Sequence, residues 1–203
     1  MKLAVLLLLG ASSLAAASDI LIVADEFPAM EVLAKRLESG AGARSKIVRQ
    51  TEMPAGLSNY AALIVYIHRT IDDPAERAFV EYAQAGGRLI LLHHSISSGK
   101  RKNRFWFPSF LEISLPEKEF DAGGYKYFEG IKMELVNLAP RHYITTHNVK
   151  YSGRTEYKSV MRPAIELDDS EVYLNHAFSG ERTVLLGVKF REPKSGQLFE
   201  QEG

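Results

Sequence analysis

Apolar positions in the first half of the chain fall into short continuous runs separated by stretches of helical period. Ile20-Leu21-Ile22-Val23-Ala24, after Asp19, is a run of the kind a buried strand shows, and it leads into Asp25-Glu26-Phe27-Pro28. From Met30 to Leu37 the apolar residues recur at helical spacing, and Gly40 or Gly42 can end that helix. Lys46-Ile47-Val48-Arg49 predicts a second strand near a sheet edge, because both ends are charged. Ala61 to Ile67 predicts a third, buried strand that stops at His68. A helix then opens at Asp73-Pro74-Ala75-Glu76, with Asp73 as cap, Pro74 in the first turn and Glu76 reaching back. Phe79, Val80, Tyr82 and Ala83 give it an apolar face, and Gly86-Gly87 end it by supplying positive φ without a Cβ penalty. Arg88 to Leu92 follows as a strand expected to be buried on both faces, and it stops at His93-His94.

Strand alternating with helix predicts an α/β fold with a doubly wound, mainly parallel sheet. Right-handed crossovers then bring the strand ends at Asp25, His68 and His93 to one edge of that sheet. Ligands of open α/β sheets bind outside the carboxyl ends of the strands, so this edge is the expected site.

The second half reads as more irregular and β-containing. Phe105-Trp106-Phe107-Pro108 is aromatic enough for a satellite core or a ligand wall. Ile131 to Leu138 alternates apolar and polar residues, as a half-exposed strand does. Tyr143 to Tyr157 reads as a loop; Ala164 to Leu167, Val172 to Leu174 and Thr183 to Phe190 read as short strands, with Asp168-Asp169 a solvated turn.

Composition narrows the class. With 203 residues, 46% hydrophobic and 25% charged, the chain can bury a core, which excludes a disordered or fibrous protein. Formal net charge is zero, and the Lys100-Arg101-Lys102-Asn103-Arg104 cluster is short, so a nucleic-acid partner is not expected. Lys2, the apolar run Leu3 to Leu9 and Ala15-Ala16-Ala17 have the order of a signal peptide over residues 1–17. Its removal leaves no stable membrane span and predicts a secreted or periplasmic protein. The sequence has no cysteine, which excludes disulfides, a lipidated N-terminal cysteine, thiol nucleophiles and thiolate metal sites.

The chemistry-bearing residues are therefore histidines and carboxylates. His93 and His94 point to alternate sides of a strand end, so one of them faces the crevice. His68 ends another strand, Asp25 and Glu26 a third, and His176 lies five residues after Glu171. Neutral imidazoles with a carboxylate, here His68, His93 and Glu171, can hold a divalent metal such as zinc, although no HExxH-type spacing is present. The other use is proton transfer at a sugar carbon or hydroxyl by histidine, with Glu171 as partner or second base and Tyr173 as hydroxyl donor. Ser95 and Ser97 follow a strand, but LHHSIS lacks the glycines of a nucleophile elbow.

In order along the chain come an acidic pair after the first strand (Asp25, Glu26), a strand ending at His68, a glycine pair, a strand ending in Leu92-His93-His94, and the late segment Asp168-Asp169-Ser170-Glu171-Val172-Tyr173. This order resembles the ThuA-like, or trehalose-utilisation, family over Asp19 to Phe190. The resemblance implies a class I glutamine amidotransferase-like, flavodoxin-related fold, with residues 18–203 as a single domain. It implies histidine at the place where amidotransferases carry a nucleophilic cysteine, and hence neither glutaminase nor thiol-protease activity. A small-molecule carbohydrate partner of the trehalose or keto-sugar type is implied by the same resemblance. Its catalytic candidates are His93, His94, Glu171 and Tyr173, and its ligand-binding candidates are Asp25, Glu26, His68 and His176. Family members usually end in a strand leading to Gly-His, whereas Pro193 to Gly203 holds no histidine. A non-catalytic carbohydrate-binding or interaction module on the same fold is the alternative.

Overall fold

The computed structural model describes residues 19–92, 95, 110, 125–175 and 183–202, with backbone only at 125, 173 and 175. Residues 1–17, expected to be a signal peptide, the 100–104 basic cluster, the 105–108 aromatic run and Ser97 lie outside the described residues. The chain divides into two compact units, Met1–Phe110 and Leu111–Gly203.

The first unit is built on four parallel strands, β1 (Ile20–Ala24), β2 (Ser45–Val48), β3 (Ala62–Tyr66) and β4 (Arg88–Leu92), in the spatial order β2-β1-β3-β4. Helix α1 (Pro28–Ala41) links β1 to β2, and α2 (Asp73–Gln84) links β3 to β4. The first crossover moves outward to one side of the sheet and the second to the other. Right-handed connections therefore put the two helices on opposite faces, which is double winding. Met30, Phe27, Leu33 and Leu37 of the α1 region pack on Ile22, Ala24 and Ile64. Leu21, Val23, Leu63 and Val65 alternate to the other face and are fully buried.

Three local expectations are corrected. The α2 cap is Asp72, and no side chain completes the cap there; the amide of Asp72 is taken instead by the Gln50 side chain. β4 is an edge strand of the described sheet and only half buried, with Ile90 47% exposed, since its apolar run has a neighbouring strand on one side alone. Gly86 does take φ +90°, as expected of a helix-ending glycine. Gly87 serves a different need, because a Cβ there would stand 2.3 Å from the Tyr82 ring.

The second unit is a five-stranded antiparallel sheet in the order β6-β7-β5-β8-β9, from β5 (Tyr125–Asn137), β6 (Gly153–Tyr157), β7 (Val160–Asn175), β8 (Leu186–Arg191) and β9 (Leu198–Glu202). The predicted loop from Tyr143 to Tyr157 contains a short helix, α3 (Tyr143–Thr146), and all of β6. The two predicted strands around Asp168-Asp169 are one 16-residue strand. What reads as a turn in sequence is a pair of compensating bulges: Gly130 of β5 takes φ +60° and Asp169 of β7 φ +49°, and the register of Phe128 with Val172 is regained at Met133 with Leu167. The segment from Leu198, for which no strand was expected, pairs with β8.

One face of this sheet carries Phe128, Ile131, Val172, Leu174 and Phe190 as its core. The sheet curls toward its other face until the edge strands β6 and β9 meet. Side chains close that seam: the amide of Lys158 donates to Glu200, and Lys158 Nζ sits 2.9 Å from Glu202. Lys189 of β8 donates to Thr155 Oγ1 and to the Glu156 carbonyl on β6.

Candidate functional site

In the first unit, Ala24, Tyr66 and Leu92 are in register at the ends of β1, β3 and β4. The winding reverses between β1 and β3, so the crevice beyond their ends is the topological switch point of the sheet. Asp25 and Glu26 leave β1 there, and Ile67-His68 leave β3. A buried parallel strand must place its next residue at this rim, which is why the sequence puts its polar groups there.

The turn after β3 is held by side chains from the exits of the other three strands. From β1, the Asp25 carboxylate accepts the His68 amide at 3.0 Å and the Arg69 amide at 2.7 Å. From β2, the Gln50 side chain donates to the Thr70 carbonyl and accepts the Asp72 amide, each at 3.0 Å. After β4, the Ser95 hydroxyl accepts the Ile67 amide at 3.0 Å and donates to the Val65 carbonyl at 2.8 Å. Three chain-distant segments thus fix the stretch from Ile67 to Asp72.

His68 is the group this turn presents. Its ring packs edge-on against Tyr66, with centroids 4.6 Å apart. Its Nδ1 lies 3.7 Å from Asp25 Oδ1 and 3.6 Å from Glu26 Oε2. The two carboxylates differ in exposure: Asp25 is 15% exposed at its side chain and Glu26 60%. Partial burial pushes the Asp25 carboxyl up, but the His68 and Arg69 amides and the His68 charge outweigh it, so it sits below the usual carboxylate value. Asp25 is therefore an anion locked into the backbone, while Glu26 is open to solvent and to a ligand.

The structure thus brings together Asp25, Glu26 and His68 of the predicted set. His93, His94 and His176 lie outside the described residues. Glu171 and Tyr173 belong to the second unit, on β7. There Tyr173 pairs with Tyr127 of β5 in the backbone ladder. The Tyr127 phenol is flanked by carboxylates: partial desolvation, then Glu171 and Glu129, push it up to about 12, so it stays a protonated donor. Among the described residues no group of three His, Cys, Asp or Glu is arranged to hold a metal ion. Sequence reasoning missed Gln50 and Tyr127, which carry no motif. It set Ser95 aside as a nucleophile for want of elbow glycines, and the structure makes it a fully buried tie between β3 and its turn.

The strand order 2-1-3-4 with helices on both faces defines a flavodoxin-like α/β architecture in the first unit, accompanied by the curled antiparallel sheet of the second. A solved structure described as ThuA-like, from Bacteroides uniformis, superposes on the chain with a TM-score of 0.58 at 17% identity, covering 84% of this chain and 67% of that one. The fold is accordingly ThuA-like. A beta-galactosidase from Bifidobacterium adolescentis aligns over 93% of this chain and 92% of its own, at 13% identity and a TM-score of only 0.37. No family model matches the sequence, and no curated protein does.

Proposed function

We propose that the switch-point crevice binds a carbohydrate or related polyol, with His68 as the proton-moving group and Glu26 as its carboxylate partner. The observation that carries this reading is the Nδ1 atom of His68, set 3.6 Å from an exposed carboxylate on a turn that three other strand exits immobilise. The Tyr66 ring packed edge-on against the imidazole limits its orientation, and a carboxylate near Nδ1 favours the protonated form, as a general acid–base uses. The sugar class, of the trehalose or keto-sugar type, comes from the ThuA-like fold. In this reading His93 and His94, next in sequence after Leu92, remain catalytic candidates. Export after loss of residues 1–17 would place this chemistry outside the cytoplasm.

A titration series with trehalose, glucose and a keto-sugar, followed by calorimetry and product analysis, tests the proposal. Wild-type protein is expected to bind one of them saturably, and His68→Ala to lose turnover or binding while keeping its denaturation midpoint. Unchanged affinity together with unchanged turnover in His68→Ala overturns it. One observation favours the non-catalytic alternative: Asp25 is committed to the backbone amides, leaving Glu26 as the one described carboxylate beside His68 that can act on a ligand. Saturable binding with no product in any arm selects that alternative.

A further inference from the structure

The second unit holds a cavity of about 280 Å³ where the curled sheet opens beside its seam. Tyr157, Lys158, Arg162 and Glu202 line it, against Leu138 and Val160. Two of these side chains carry buried polar atoms with no hydrogen-bond partner, the Tyr157 hydroxyl and Arg162 Nε. Tyr157 is 2% exposed. Buried polar atoms are paired in the great majority of cases, and the exceptions call for an explanation such as an unseen water, ion or ligand.

Both residues line the cavity, and both orphan atoms can donate. Burial, as the largest influence, pushes the Tyr157 phenol up, so it keeps its proton. The fold also makes room for it: at Gly187 a Cβ would stand 3.0 Å from the phenol oxygen, so any other residue there would press on the ring. Arg162 is anchored through Nη1 to the Leu138 carbonyl at 3.2 Å and has no carboxylate partner among the described residues. Glu202, the carboxylate in the lining, is already neutralised by Lys158 at 2.9 Å. The lining therefore holds one guanidinium without a carboxylate partner among the described residues and one phenolic donor, beside the apolar Leu138 and Val160.

We propose that this cavity is a binding site for the oxyanion group, carboxylate or phosphate, of a small metabolite, held by Arg162 and Tyr157. A planar guanidinium offers Nε as part of a fork that carboxylate and phosphate oxygens match, and the phenol supplies a second donor. Because Nε is closed to bulk water, occupation requires the Arg162 side chain to turn about its Leu138 anchor. The site lies wholly within the second unit and stands apart from the sugar reading of the first.

The test uses the full chain at constant ionic strength, titrated separately with inorganic phosphate and with acetate, with chloride as control. Backbone amide NMR shifts around Tyr157–Arg162 and Gly187 report binding. One of the two anions is expected to bind saturably, and the stronger arm distinguishes phosphate from carboxylate. Tyr157→Phe keeps the ring and removes an unpaired hydroxyl, so it should fold as well as wild type and bind about tenfold more weakly, the loss expected of one charge-assisted hydrogen bond. Arg162→Lys gives an independent second variant and should abolish saturation. Shifts that match those of chloride, or that both variants leave unaltered, overturn the proposal.

Discussion

Replacing Asp25 by alanine should unfasten the turn that carries His68. The carboxylate accepts two amides, His68 N–H at 3.0 Å and Arg69 N–H at 2.7 Å. A hydrogen bond to a charged group contributes about 1.5–3 kcal/mol, and a donor left buried without its acceptor costs about 1–3 kcal/mol. The His68 end is partly buried and carries most of that cost; the Arg69 end is exposed, where water replaces the lost acceptor. Together these give a loss of about 2–4 kcal/mol, read as a lower midpoint in urea at pH 7. Acid supplies an internal control. An unfolded aspartate titrates near 3.9, and the folded value of Asp25 is lower, so its stabilisation is complete above about pH 5 and fades as the pH falls through the folded value. The gap between wild type and Asp25→Ala must therefore close in acid. An unchanged midpoint at pH 7, or a gap that persists at low pH, would refute the claim that this carboxylate holds the turn.

Gly87→Ala should destabilise the first unit by about 1–3 kcal/mol, the usual range for overpacking. The new methyl meets the Tyr82 ring at 2.3 Å, and that ring is tethered through its hydroxyl to the Tyr60 carbonyl; an unaltered urea midpoint would show that the tether gives. Ser95→Ala should cost about 1–3 kcal/mol by stranding the Ile67 amide. A fluorophosphonate probe should leave wild-type Ser95 unlabelled because the residue is fully buried, and labelling would reinstate it as a nucleophile.

The first unit was legible because its strands are buried and its punctuation is chemical. β1 and β3 are continuous apolar runs of five residues, and each stops where a polar group begins, at Asp25 and at Ile67-His68. Once order and handedness are known, convergence of those ends follows from topology, and the proximity of Asp25, Glu26 and His68 follows with it. The ties that shape the site were not legible. Gln50 sits in a short 3₁₀ turn after an edge strand, and nothing local marks its amide as the partner of a segment 20 residues away. Asp72 displaced Asp73 as the cap of α2 for the same reason, since its amide is claimed by that distant side chain. The second unit misled differently. Asp168-Asp169 has turn composition, but the partner strand β5 carries a compensating bulge at Gly130, so the chain bulges and continues. β6 and β9 are short and charged: Arg154 and Glu156 are exposed, while Glu200 and Glu202 of β9 reach Lys158 just past β6, a partner that only the curl supplies.

The seam between β6 and β9 has a consequence for life at high concentration. An open five-stranded sheet offers two rows of unused amides and carbonyls, each able to recruit a foreign strand and begin aggregation. Here those two rows are turned toward one another and separated by lysines and glutamates rather than joined by a ladder. The closure is electrostatic, so strong salt should loosen it before it disturbs any backbone pairing. Self-association driven by concentrated salt, where most exposed apolar contacts would merely tighten, is the behaviour such a gate would produce.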